Sequence, residues 1–99
     1  MEKNNIANLI VHPNYAKRIS SEINTQKSER IMNNIKKAIS SPNSYIIKDG
    51  IDPRKIPDIL KKYDKIKLYG AMHGYCLTAT GISLTIKGIN HTYAQEGYF

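Results

Sequence analysis

The stretch that decides the predicted fold is the C-terminal third of the chain, residues 65–99, KIKLYGAMHGYCLTATGISLTIKGINHTYAQEGYF. Apolar and polar residues alternate over residues 65–69, more weakly over 75–80, and again clearly over 82–87. This period of two is typical of β-strands, and glycines at positions 70, 74, 81 and 88 separate or end the segments. Because connections this short permit only antiparallel pairing, the pattern predicts three successive antiparallel strands, with residues 91–98 as a fourth.

Upstream of this segment the apolar spacing changes to that of helices. Tyr15, Ile19 and Ile23 recur at i, i+4 and i+8, which predicts one helix. A second helix is predicted over residues 31–39, with Ser28 as its cap, and a shorter third one over 56–63. Residues 7–11 are expected to form a short strand or the end of a small helix, and residues 45–47 a brief strand or extended segment.

These elements predict one α+β domain that spans residues 1–99. Two or three N-terminal helices are expected to pack on a C-terminal antiparallel sheet of three to four strands. A chain of 99 residues is too short for a second independent core.

The chain is strongly basic, with fifteen Lys and Arg against eight Asp and Glu, a net charge of +7 and a pI near 9.6. This balance favours a polyanionic partner, and nucleic acid is the foremost one. Codon bias in an AT-rich genome is the alternative explanation of the lysine content. The single cysteine, Cys76, excludes an internal disulfide, which favours an intracellular, cytoplasmic site of action. No membrane span or signal peptide is predicted.

The alternation also assigns side chains to one face of the predicted sheet. Continued along the chain, it places Lys65, Lys67, Thr85, Lys87, His91 and Tyr93 on the face that points away from the helices. RNA cleavage through the 2′-hydroxyl needs a base, an acid and cations near the phosphate, and this face would supply all three without a metal or cofactor. The predicted catalytic residues are His91, His73 and Lys87. The predicted substrate-binding residues are Lys65, Lys67, Thr85, Tyr93 and Tyr98.

Each of these residues also has a purely structural interpretation. His73 lies between glycines, as solvated turn residues do, and the lysines suit the wet side of a half-buried sheet. The tyrosines are equally consistent with packing rings. Three histidines at positions 12, 73 and 91 match no common zinc pattern, so no metal site is predicted.

Several segments in their order along the chain resemble the RelE/ParE superfamily of toxins, within the wider group of barnase-like and colicin-like ribonucleases. They are residues 8–15 (NLIVHPNY), the helix over 31–39 with Ser41-Pro42 after it, His73-Gly74-Tyr75, and residues 86–98. The family has arginines after the Gly-x-Tyr and His positions, whereas this chain has Cys76 and Thr92. The resemblance implies a small basic RNA-cleaving toxin that acts on RNA, in some members at the ribosome, and is neutralised by an acidic antitoxin or immunity protein. It also implies that His91 is the acid or base, that Tyr93 or Tyr98 is the terminal aromatic, and that Lys65 and Lys67 bind phosphate.

Two other classes of function fit the same sequence. A nucleic-acid-binding protein of a mobile element, phage or archaeal virus, without catalysis, would contact phosphates from its helices through Arg18, Lys36, Lys37, Lys61 and Lys62. An interaction or inhibitor protein would instead use the nearly uncharged tail, residues 88–99, as an interface strand, for example in a homodimer. The chain lacks a phosphate-cradling loop, a nucleophile elbow and paired carboxylates, which argues against nucleotide hydrolysis, acyl transfer and glycoside hydrolysis.

Overall fold

The computed structural model describes residues 5–99, which form one sheet with helices on both of its faces. In chain order the elements are β1 (Ile6–Val11), α1 (Pro13–Ile23), α2 (Gln26–Ile39), β2 (Ser44–Ile47), a 3₁₀ helix (Asp58–Lys62), β3 (Lys65–Gly70), α3 (Cys76–Ile86) and β4 (His91–Tyr98). The strand order across the sheet is β2-β1-β3-β4, and all three pairings are parallel. This alternation of strands and helices around a parallel sheet is the layered arrangement of α/β proteins.

The predicted antiparallel C-terminal sheet is therefore wrong, although three helices and four strands agree with the expected numbers. Residues 75–80 and 82–87, predicted as two strands, belong mainly to the single helix α3. The buried residues of α3 are Leu77, Thr80, Gly81 and Leu84, at i, i+3, i+4 and i+7, which is the spacing of one helix face. The alternating hydroxyl and apolar residues of this segment fit both the period of two of a strand and the period of 3.6 of a helix. The helix forms because it buries this face.

The helix α3 explains why the sheet is parallel. Two consecutive parallel strands need a crossover long enough to return the chain to the same end of the sheet. The helix α3 provides this crossover between β3 and β4, and α1 with α2 provides it between β1 and β2. The expected separation into N-terminal helices and a C-terminal sheet is consequently replaced by elements that alternate along the chain.

The two helical predictions upstream are confirmed in position, with a correction at the start of α2. Thr25, not Ser28, is the N-cap: its side chain accepts a hydrogen bond from the Ser28 backbone N–H at 3.1 Å. The Ser28 hydroxyl in turn accepts the Thr25 N–H at 2.9 Å, so that the two residues form a capping box. The third predicted helix is a 3₁₀ helix that begins after Pro57.

Two hydrophobic clusters fill the two sides of the sheet. On one side Leu9, Leu68 and Ile66 pack with Leu77 and Leu84 of α3. On the other side the residues of α1 and α2 pack against the strands; they include Ala16, Ile31, Ile35 and Ala38, together with Ile10 of β1 and Tyr69 of β3. Successive side chains of a strand point to opposite faces, so each strand of the centre contributes to both clusters.

Candidate nucleic-acid interface

In open α/β sheets, ligands commonly bind at the carboxyl ends of the strands, where the strand order reverses. Here that point lies between β1 and β3, because the chain goes from β1 to β2 on one side and then to β3 on the other. The loop after β2 already occupies this place. The Asp49 carboxylate accepts the backbone N–H groups of Asn14 and Tyr15 at 2.9 and 2.8 Å, at the start of α1. The buried His12 bonds through Nε2 to the Ile51 carbonyl at 2.9 Å.

The backbone at the start of α3 is likewise engaged by the protein itself. The His73 N–H donates to the Phe99 carbonyl at 2.6 Å, and the Gly74 N–H donates to Thr78 Oγ1 at 2.7 Å. The N–H groups of Tyr75 and Leu77 both donate to the Met72 carbonyl. These donors are not available to an anion, so the usual phosphate site of this architecture is not the strongest candidate here.

The strongest candidate is a group of four rings, His73, His91, Tyr93 and Tyr98, which we call the ring cluster. The ring of His73 lies 5.6 Å from Tyr93 and 5.6 Å from Tyr98, measured between centroids. Tyr93 and Tyr98 are 5.5 Å apart, and His91 lies 6.4 Å from Tyr93. His73 is exposed and the other three rings are half-buried. The cluster is therefore open to solvent at His73 and partly accessible at the other three rings.

The register of β4 puts these rings on one face of the sheet. His91 pairs with Ile66 and Tyr93 with Leu68, and both partners point towards α3. An irregularity in the pairing then brings Tyr98 opposite Gly70, and Glu96 within it adopts a left-handed φ of 49°. Five residues after Tyr93, regular alternation would turn Tyr98 to the other face. Because β3 advances by only two residues over the same stretch, β4 has three extra residues there, and they return Tyr98 to the side of α3.

Gly81 of α3 leaves the space that the cluster needs. A Cβ atom at this position would lie 2.7 Å from the Tyr93 hydroxyl oxygen and 3.5 Å from His91 Nε2. Only a residue without a side chain lets the helix approach the two rings this closely. Gly81 was predicted as the turn between two strands, so its role in the site was not foreseen.

One hydrogen bond defines the protonation pattern of His91. Its Nδ1 lies 3.1 Å from the Ile89 carbonyl oxygen, which can only accept. In the neutral ring Nδ1 therefore carries the hydrogen and Nε2 carries the lone pair. This arrangement leaves Nε2, the atom nearer to Gly81 of α3, as the basic nitrogen of the ring.

The structure brings together four of the eight predicted site residues and separates the others. Lys65 and Lys67 lie on the face of α1 and α2, because on β3 they alternate with Ile66 and Leu68, which face α3. The expectation that these lysines share a face with His91 and Tyr93 is thus wrong, since it assumed that the strand pattern continued through α3. Lys87 is exposed at the C-terminal end of α3, and the Thr85 hydroxyl donates to the Gly81 carbonyl at 3.1 Å within the helix.

A second concave site, which we call the amide–lysine pocket, lies on the opposite face of the sheet. Its volume is about 300 Å³, and its lining consists of Asn8, Asn34, Lys37, Ala38, Ser41, Lys67, Tyr69, Ala94 and Gln95. Burial raises the pKa of the Tyr69 hydroxyl above its ordinary value of 10.0, so this group stays protonated at neutral pH. Lys37 and Lys67 were each predicted to contact phosphate, but no sequence pattern indicates that they line the same pocket.

No family model matches this chain, and no match to it is found among curated proteins or among solved structures. Within residues 5–99, no three His, Cys, Asp or Glu side chains come together as a metal site. No helix in the described part of the chain has the length and apolar character needed to cross a membrane.

Proposed function

We propose that this protein binds single-stranded RNA on the ring cluster and cleaves it without a metal ion, in the manner of a small ribonuclease toxin. The observation that carries the proposal is that the rings of His73 and His91 lie 5.6 and 6.4 Å from the ring of Tyr93, with His73 exposed and His91 half-buried. Two imidazoles beside aromatic rings supply an acid, a base and stacking surfaces in one place. The net charge of +7 supports a polyanionic substrate.

The proposed reaction divides the two proton transfers between the two histidines. His91 Nε2 takes the proton from the ribose 2′-hydroxyl, whose oxygen then attacks the neighbouring phosphorus atom. His73, in its protonated form, gives a proton to the departing 5′-oxygen. The products are a 2′,3′-cyclic phosphate and a free 5′-hydroxyl.

The two tyrosines would hold the bases that flank the cleaved bond. Tyr93 and Tyr98 lie 5.5 Å apart with their ring planes inclined at 50°, and both rings are half-buried, so the bases would stack on the parts of the rings that remain accessible. Stacking of a base on an aromatic side chain contributes about 1–3 kcal/mol and tolerates any base. The proposed binding is therefore not specific for sequence.

The test is incubation of purified protein with a fluorescent single-stranded RNA in EDTA, with His91→Ala and His73→Ala beside the wild type. Thr92→Ala is the matched control, since Thr92 is an exposed neighbour of His91 on the same strand. We expect both histidine variants to lose cleavage by about 10²-fold or more while the control retains it. Wild-type activity in His91→Ala with an intact fold would refute the catalytic assignment.

Binding without cleavage is the second candidate function, and the position of the lysines favours it. Because Lys65 and Lys67 lie on the other face of the sheet, they cannot stabilise phosphate charge at the ring cluster. If the protein only binds RNA, the RNA stays intact with the wild type and with every variant, and Tyr93→Ala weakens binding.

We also propose an acidic antitoxin or immunity protein as a partner. Copurification of this protein with the acidic product of a neighbouring gene would test it.

A further inference from the structure

We propose that the amide–lysine pocket binds the phosphate monoester of a small sugar, either free or as part of a nucleotide. The two ammonium groups come from separate elements, Lys37 from α2 and Lys67 from β3. No carboxylate lines the pocket, and neither lysine forms an ion pair with another residue of 5–99. Lysine ammonium groups bind phosphate as compact point charges, and two of them match a phosphate dianion.

The remaining polar lining suits the sugar rather than the phosphate. Asn8, Asn34 and Gln95 contribute side-chain amides from β1, α2 and β4, each of which offers both donors and an acceptor. The Asn34 side-chain N–H donates to the Glu96 carbonyl at 2.9 Å. The amide oxygen of Asn34 is therefore the atom left to accept a hydrogen bond from a ligand hydroxyl. Amide groups that converge in this way are typical of sites that orient a polar ligand.

The shape of the pocket depends on the ring of Tyr69. A Cβ atom at Gly97 would lie 2.7 Å from Tyr69 Cδ2, so the glycine allows the ring to pack directly on β4. A sugar ring or a base can rest on this phenol, whose hydroxyl is a hydrogen-bond donor at neutral pH. A volume of about 300 Å³ is at the lower limit of small-molecule sites, which suits a ligand of the size of a sugar phosphate.

The end of α2 does not oppose an anion as strongly as a bare helix C-terminus would. The last carbonyls of α2 already accept hydrogen bonds: Lys36 from Ser40, Lys37 from Ser41, and Ala38 from Ser44. Their partial negative charge is therefore partly neutralised before a ligand arrives.

The test is calorimetric titration of the wild-type protein with adenosine 5′-monophosphate, ribose 5-phosphate, inorganic phosphate and adenosine. We expect both phosphate esters to bind and adenosine to bind at least about tenfold more weakly, because it lacks the charge. Equal affinity for the two esters assigns recognition to the sugar phosphate, and tighter binding of the nucleotide adds the base. Failure of both esters to bind at millimolar concentration overturns the proposal.

Charge-matched variants separate the pocket from general charge attraction. The double variant Lys37→Gln/Lys67→Gln removes the two pocket cations, and Lys17→Gln/Lys48→Gln removes two exposed cations elsewhere. We expect the first variant to weaken ester binding about a hundredfold and the second about twofold or less. Equal losses in both variants would refute a defined site. Cleavage of RNA at the ring cluster is expected to persist in both variants, so the two proposals fail independently.

Discussion

Gly81 allows the geometry of the ring cluster to be tested with a single methyl group. In a helix interior, replacement of glycine by alanine ordinarily stabilises a protein by about 0.5–1 kcal/mol. In this structure the new Cβ would lie 2.7 Å from the Tyr93 hydroxyl oxygen, well inside an ordinary van der Waals contact, whereas Tyr93 Cζ would be at an acceptable 3.5 Å. Overpacking of this kind costs about 1–3 kcal/mol. We therefore expect Gly81→Ala to lower the free energy of unfolding by about 1 kcal/mol.

The cause can be isolated because the clash involves one atom. Tyr93→Phe removes the hydroxyl and leaves the ring, so in that background Gly81→Ala is expected to stabilise the protein by about 0.5–1 kcal/mol. The two changes should thus be coupled by about 1.5–2 kcal/mol. Urea unfolding of the four proteins in this double-mutant cycle measures the coupling. Additive effects, within about 0.5 kcal/mol, would show that α3 does not approach Tyr93 as described.

Three further predictions address stability. Leu84→Ala should lower the free energy of unfolding by about 2–5 kcal/mol because Leu84 is fully buried. Ile86→Lys should change it by less than about 0.5 kcal/mol because Ile86 is 80% exposed. Urea unfolding of both variants checks this difference. Asp49→Ala should cost about 1–2 kcal/mol by removing the acceptor of two N–H groups at the start of α1, and a loss below about 0.3 kcal/mol would contradict that role. The hydrogen bond from the Arg54 side chain lowers the pKa of Asp52 from 3.8 to about 2. The ionised Asp52 carboxylate therefore contributes stability that is present above pH 4 and is lost as the pH falls towards 2. The difference in stability between wild type and Asp52→Asn should shrink over that range, and NMR titration of the Asp52 carboxyl near 4 would refute the assignment.

The upstream helices were predictable because their information is local. Apolar residues at i, i+4, i+7 and i+8, counted from Ile31, and a hydroxyl residue before the first turn define α2 whatever it packs against. Only the identity of the cap was misassigned, since Ser28 is the second partner of a capping box that Thr25 opens. The basic composition and the concentration of His and Tyr near the C-terminus are likewise evident from the sequence.

The class of sheet was not predictable in the same way, because residues 76–86 fit two periods. Their polar positions are hydroxyl residues, which tolerate burial in a helix when a carbonyl accepts their hydrogen. The buried Thr80 hydroxyl has the Pro53 carbonyl at 2.7 Å and the Cys76 carbonyl of the preceding turn at 3.1 Å. A charged residue in this segment would have fixed one solvent-facing side and removed the ambiguity. Because the segment is a helix, β3 and β4 are parallel, and the lysines of β3 lie on the face of the sheet opposite to His91.

By itself the sequence determined that the chain is small and basic, that α1 and α2 are amphipathic helices, and that eight residues, His73, His91, Tyr93 and Tyr98 among them, are candidates for chemistry. The tertiary structure alone decided the direction of the strands, the separation of these rings from Lys65 and Lys67, and the approach of Gly81 to the cluster. The physical reason is the range of the interactions involved. Helix periodicity and capping act within a few residues, whereas strand direction and the faces of a sheet depend on which distant apolar surfaces are buried together.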